Sequence, residues 1–121
     1  MKFRAWDWIL KKWIFKDIGL WELFSEIQDN ILFYEISWEN LKERLIFMQY
    51  TGLKDIKGKE IYEGDILSNE DDYLKFIVEF DLGRFVAIDN KRHDIYDLKM
   101  IASQCEVIGN IYENPELIKE V

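Results

Sequence analysis

The sequence predicts a mainly β protein, α+β by content, with a small β-barrel in its C-terminal half. Three observations carry that expectation. Apolar residues alternate with polar ones at a period of two, as Phe76, Val78 and Phe80 do between Lys75 and Glu79. That is the period of a half-buried strand. Glycines recur at turn spacing through the second half, at Gly52, Gly58 and Gly64, where access to positive φ lets the chain reverse. A sustained 3.6-residue period, the mark of an amphipathic helix, is clearest in a single stretch between Leu20 and Ile31.

Taken in order, Lys2 to Trp6 alternates around Phe3 and Ala5 until Asp7 interrupts it. Ile9 to Phe15 is aromatic and β-branched enough to return as a second strand, which makes an N-terminal β-hairpin. From Asp17 to Asn30 a helix is expected. Leu20, Leu23, Phe24, Ile27 and Ile31 form its apolar stripe, and Glu22, Ser25, Glu26 and Gln28 its polar face. Asp17 is placed to cap it and Asp29-Asn30 to stop it. Ile31 to Ile36 reads as a short strand. Ser37 can then cap a second short helix with Trp38, Leu41 and Leu45 on one stripe. Leu45 to Tyr50 reads as a buried strand.

The pairs Ile61-Tyr62 and Ile66-Leu67 open the second set of strands. Tyr73 to Phe80 and Phe85 to Ile88 form a hairpin around Asp81-Leu82-Gly83-Arg84, with Gly83 free to take positive φ. Asp89 to Arg92 turns again. Glu106 to Tyr112 is the last strand, and Gly109 within it signals a bulge or a tight bend. Asn114 as cap, Pro115 at the first helical position and Glu116 beside it predict a closing helical turn to about Glu120. About five short strands at this spacing point to an SH3-like barrel. The whole reads as one domain over residues 1–121, divisible into a Trp-rich lobe at 1–47 and a β-barrel lobe at 48–121.

Composition narrows the functions. The net charge is −8. Residues 1–50 are nearly balanced, while 51–121 hold nine basic and sixteen acidic residues. Binding to a phosphate backbone needs cations, so nucleic acid is a poor default partner. The one cysteine, Cys105, permits neither an intramolecular disulfide nor a Cys-rich metal site. No opening signal segment and no membrane-length apolar run occur. All five Trp lie between Trp6 and Trp38. They fill a core or form an interface, and composition leaves both open.

Candidate chemistries are thin. His93, the sole His, lies in a polar turn, and Cys105 has no motif to pair it with a base. Glu70-Asp71-Asp72 lacks the spaced ligands of a calcium loop. Glu63 and Asp65, at a spacing of two, could share a face, whereas Glu60 falls elsewhere. No phosphate loop or nucleophile motif occurs.

Three blocks carry a resemblance. They are Phe3-Arg4-Ala5-Trp6-Asp7, the centre from Met48-Gln-Tyr-Thr-Gly-Leu-Lys-Asp to Gly-Lys-Glu-Ile-Tyr-Glu-Gly-Asp-Ile66, and Val107-Ile-Gly-Asn-Ile-Tyr-Glu-Asn-Pro-Glu-Leu117. In content and order they resemble the YopX family of small phage and prophage proteins. The resemblance implies a phage or prophage origin in a bacterial host and is compatible with a β-rich fold. The cytoplasmic location is expected from the single cysteine and from the lack of a signal segment or membrane-length run. It brings no established biochemical activity.

The expected function is a non-enzymatic binding or assembly module. A groove between barrel loops would be lined by exposed Trp6, Tyr50 and Tyr62, with Glu63 and Asp65 beside it. A basic protein or further copies of the chain, in a homo-oligomer, would be the partner. No catalytic residue, metal or cofactor is assigned. The alternatives are a small metal-dependent enzyme using the central carboxylates, or an acidic decoy of a host DNA-binding protein.

Overall fold

The computed structural model describes residues 2–19, 22, 25, 28, 43–69 and 74–119. The fold is mainly β, with curled antiparallel sheets, and one short α-helix, Leu98–Ile101, has both of its ends among the described residues. The chain divides into two compact units, residues 1–49 and 50–121.

In the first unit, β1 (Lys2–Asp7) pairs antiparallel with β2 (Lys12–Gly19) and, on its other side, with the start of β3 (Leu45–Lys54). Ala5, Trp6, Leu45 and Met48 are buried. Trp6 lies opposite Trp13 in the register. Their rings meet edge to face, with centroids 5.1 Å apart, a favoured aromatic geometry.

Two expectations change here. Ile9 and Leu10 belong to the turn at residues 8–11 rather than to the returning strand, which starts at Lys12 and runs on through Asp17 to Gly19. Asp17 is therefore a strand residue and not a helix cap. Glu22, Ser25 and Gln28 are helical and exposed, as the polar face of the expected helix. Its apolar stripe, the strand expected at 31–36 and the cap at Ser37 lie outside the described residues. Glu43 and Arg44 are helical.

In the second unit, the end of β3 pairs with β4 (Glu60–Tyr62), and Tyr50 stands opposite Tyr62. A bulge at Gly52, φ +84°, separates this pairing from Lys54 opposite Glu60. Thr51 holds the bulge, its Oγ1 donating to the Ile61 carbonyl at 2.7 Å and accepting from Leu53 N–H at 3.2 Å. A five-stranded antiparallel sheet follows, in the order β8-β7-β6-β5-β9. Its strands are β5 (Asp65–Asn69), β6 (Lys75–Asp81), β7 (Arg84–Asp89), β8 (Ile95–Asp97) and β9 (Cys105–Asn110). Between β8 and β9 comes α1 (Leu98–Ile101), capped by Asp97, and then a 3-10 turn.

The period-two pattern explains the core. Leu67, Phe76, Val78, Ala87 and Val107 project from one face of the sheet and pack with Ile61, Leu98, Ala102 and Cys105. Each of the Leu, Ile, Val and Phe side chains among them stabilises by roughly 1.5–3 kcal/mol when fully buried. The expected bulge at Gly109 is present: Ile66 faces Gly109 while Leu67 faces Val107. A Cβ at Gly109 would lie 2.5 Å from Asn114 Oδ1, so the position needs glycine. Pro115–Leu117 forms the closing turn, as 3-10 helix. Asn114 makes no side-chain cap there, because its Oδ1 accepts from Asn110 N–H at 3.2 Å instead.

Candidate functional site

The five side chains singled out in the sequence do not form one exposed groove. Trp6 is 5% exposed and Tyr62 3%, so both belong to the interior. Tyr62 packs on half-buried Tyr50, with ring centroids 5.5 Å apart. Exposure of an aromatic depends on which face of its strand it occupies, and the pairing of Trp6 with Trp13 and of Tyr62 with Tyr50 turns both inward. Asp65 is 1% exposed and accepts the Tyr62 N–H through Oδ2 at 2.8 Å. It closes the tight turn over Glu63 and Gly64, where Gly64 takes φ +84°. Glu63 is half-buried in that turn and does not extend a strand with Asp65.

Asp65 is one of a set that sequence reasoning missed. Each family-like block contains a buried Asx side chain that gathers backbone N–H groups. Asp7 Oδ1 accepts from Ile9 and Leu10 at 3.0 and 2.9 Å, and its Oδ2 meets Arg44 Nη2 at 2.5 Å. Asp55 Oδ1 accepts from Lys57 and Lys59 at 2.9 and 2.8 Å, and its Oδ2 from Val107 of β9 at 2.9 Å. Asn110 Oδ1 accepts from Tyr112 and Glu113 at 3.0 and 2.8 Å. Outside the blocks, Asp89 holds Lys91 and Arg92 N–H in the same way. Asx side chains mimic a backbone turn by this bond. The signal that could have found them is an Asx at the end of a strand, whatever the polarity of the residues that follow it.

The electrostatics follow. Burial opposes ionisation of Asp7. The hydrogen bonds from Leu10 N–H, Arg44 and Ile9 N–H, with the charge of Arg44, outweigh it and hold the carboxyl below its ordinary value. Burial likewise opposes ionisation of Asp89, and Arg92 and Lys91 N–H with the nearby charges of Arg92 and His93 bring it below the usual value. Burial pushes the Cys105 thiol up, the opposite of what a nucleophile needs. His93 is exposed at φ +62°, its N–H donating to the Asp89 carbonyl. Among the described residues, no group of three or more His, Cys, Asp or Glu could hold a metal ion, and Glu70-Asp71-Asp72 lies outside them.

Two groups of exposed apolar side chains sit at chain reversals. The turn after β1 exposes Trp8, Ile9 and Leu10 at 47%, 53% and 53%, followed by exposed Lys11 and Lys12. Its backbone is fixed by Asp7 and by Trp8 Nε1, which donates to the Glu43 carbonyl at 2.6 Å. Lys11 takes φ +56° to complete it. Behind it, Arg4 and Lys16 lie over the Trp13 ring at 4.9 and 5.3 Å, within cation–π range. In the second unit, the β6–β7 hairpin exposes Phe80 at 54% and Leu82 at 90%, with Phe80 edge to face on Phe85 at 5.0 Å. Exposed Glu79 and Asp81 flank these groups.

The fold is similar to that in the crystal structure of protein EF1440 from Enterococcus faecalis, at 26% identity and a TM-score of 0.63, covering 98% of this chain and 97% of that one. No curated protein matches the chain. The YopX protein family matches residues 2–119. That span includes all three blocks and the buried Asx clamps within them, and the chain accordingly belongs to the YopX family.

Proposed function

We propose that this chain is a non-enzymatic binding module of phage or prophage origin. It acts in the cytoplasm of a bacterial host and docks protein partners through the turn at residues 8–12. The observation that carries this reading is the state of Trp8, Ile9 and Leu10. They are consecutive, large, apolar and about half exposed, on a backbone fixed from below by buried Asp7 and Arg44. A free loop would fold such groups inward, whereas a clamped one presents them. Preorganised aromatic and aliphatic anchors ringed by polar groups are what binding energy concentrates on. Lys11 and Lys12 add a basic rim, which favours a partner with an acidic one. The partner chemistry is thus the reverse of what net charge alone predicts, because the docking turn is basic within an acidic chain.

No observation favours the alternatives. Asp65 is occupied by the Tyr62 N–H, and Asp55, Asp65 and Asp89 are buried among turn amides. Those three of the sixteen acidic residues in 51–121 are thereby withdrawn from any charged row a decoy would display.

The test is affinity capture from bacterial lysate with the wild type and an Ile9→Ser/Leu10→Ser variant. Both substitutions keep the two N–H groups that Asp7 holds. Loss of the captured protein at an unchanged thermal midpoint supports the reading. Equal capture by both proteins overturns it.

A further inference from the structure

We infer that the partner of the 8–12 turn is the β6–β7 hairpin tip of a second copy of this chain, in a head-to-tail contact. This rests on the binding-module reading and names its partner. The starting point is Leu82. It occupies φ +50° and is followed by Gly83 at φ +81° in a two-residue loop between Asp81 and Arg84. Two successive positive φ values are the pattern of a type I′ turn, whose first position favours Asn, Asp or Gly. A leucine there is disfavoured by its own Cβ. It also recovers nothing by burial, since it is 90% exposed. A local rule broken at a cost, without a gain inside the monomer, points to a use outside it.

The neighbourhood agrees. Phe80 projects nearby at 54% exposure, held by its edge-to-face contact with Phe85. Phe80 and Leu82 therefore form an apolar knob on a rigid hairpin, flanked by exposed Glu79 and Asp81. The turn at 8–12 is its complement in both respects. It offers Trp8, Ile9 and Leu10 as apolar contacts and exposed Lys11 and Lys12 as charge partners for Glu79 and Asp81. An unlike basic partner would suit the knob but leave the basic turn unmatched. A second copy satisfies both surfaces at once. Because the two surfaces differ, the contact is heterologous, and each pair of copies leaves one knob and one turn available for further copies.

The experiment is sedimentation velocity on the full chain across concentration and salt, with three variants. Leu82→Asn removes the knob while suiting the turn better than leucine does. Ile9→Ser/Leu10→Ser removes the complementary surface. Asp81→Lys reverses one rim charge. The wild type is expected to self-associate at concentrations up to about 100 μM, more weakly as salt rises. Leu82→Asn should weaken association by roughly tenfold or more with no loss of thermal midpoint, and Asp81→Lys by a smaller factor. Mixing Leu82→Asn with Ile9→Ser/Leu10→Ser should give one-to-one dimers, because one intact turn then meets one intact knob. A monomeric wild type overturns the proposal, and so does association indifferent to Leu82→Asn. If both variants associate poorly alone and the mixture forms no dimer, the contact is not head-to-tail and the proposal falls. A monomer whose lysate capture still depends on Ile9 and Leu10 overturns the second copy and leaves the binding-module reading standing.

Discussion

Asp7 in the first unit and Asp55 in the second divide their oxygens in the same way. One oxygen of each closes the turn that follows, on Ile9 and Leu10 N–H for Asp7 and on Lys57 and Lys59 N–H for Asp55. The other reaches far along the chain, to the Arg44 guanidinium from Asp7 and to Val107 N–H from Asp55. The distant partner is where they differ. A guanidinium is a charge on a long side chain, and it can be weakened by substitution or by protonating the carboxylate. The Val107 amide is part of β9 and has no substitute. The first unit therefore holds its exposed turn electrostatically. The second builds the clamp into its sheet, which Ile56 N–H reinforces by donating to the Cys105 carbonyl at 2.9 Å.

The largest effect should come from Asp55. Asp55→Ala leaves three amides without their acceptor, one of them in a buried strand, and should cost about 3 kcal/mol in urea unfolding. Asp55→Asn keeps one acceptor oxygen but turns an NH₂ group toward an N–H donor, so about 2 kcal/mol is expected. If Asp55→Ala unfolds no more easily than Asp7→Ala, the sheet-built clamp is not the stronger of the two.

The Asp7 clamp should instead show coupling to its partner. In a double-mutant cycle of Asp7→Asn and Arg44→Gln, the interaction energy should be about 1 kcal/mol. Arg44 is 25% exposed by side chain and Asp7 1%, so solvent reduces the pair without removing it. A cycle that closes at zero would assign the stability of the turn to the Ile9 and Leu10 amides alone.

Acid should sharpen the same contrast. Asp7 and Asp89 are held below their ordinary values by their hydrogen bonds and neighbouring cations, despite burial. A carboxyl whose folded pKa is lowered stabilises the fold above its unfolded value of about 3.9. That contribution disappears as pH falls through the folded value. The thermal midpoint should accordingly drop steeply below about pH 4, and an Asp7→Asn/Asp89→Asn variant should show a flatter acid limb. An unchanged limb would shift the acid sensitivity to other carboxylates.

Much of the second unit was legible in the sequence because its pattern is local. Phe76, Val78 and Gly83 lie within eight residues and suffice to place a hairpin. Gly109 announced its bulge because only glycine fits against Asn114. The first unit was harder. Ile9 and Leu10 are apolar and read as strand, but the carboxylate of Asp7 closes a turn beneath them, a side-chain effect that hydropathy does not register. Strand β8 and helix α1 run for three and four residues, too short for a period to show. Trp6 and Tyr62 stand out in the sequence as aromatics, but their burial depends on partners in other strands. The clamps themselves were visible as letters but not as a function. An aspartate in a family-like block invites a chemical role, and here its work is to hold amides.

The smallest effect tests how each unit treats its exposed turn. Both turns use a non-glycine residue at positive φ, Lys11 at +56° and Leu82 at +50°. Lys11 follows a clamp whose hydrogen bonds hold the turn together, while at Leu82 a two-residue loop with the Asp81↔Arg84 strand pair does so. Leu82→Asn should therefore raise stability by about 1 kcal/mol, because Asn tolerates the left-handed region and Asn-Gly is the favoured type I′ pair. Lys11→Asn should gain less, since the Asp7 clamp already enforces the conformation and a smaller unfolded-state preference is left to recover. Equal gains at both positions would mean that the clamp contributes nothing to holding the left-handed residue, and that the two turns differ only in their side chains.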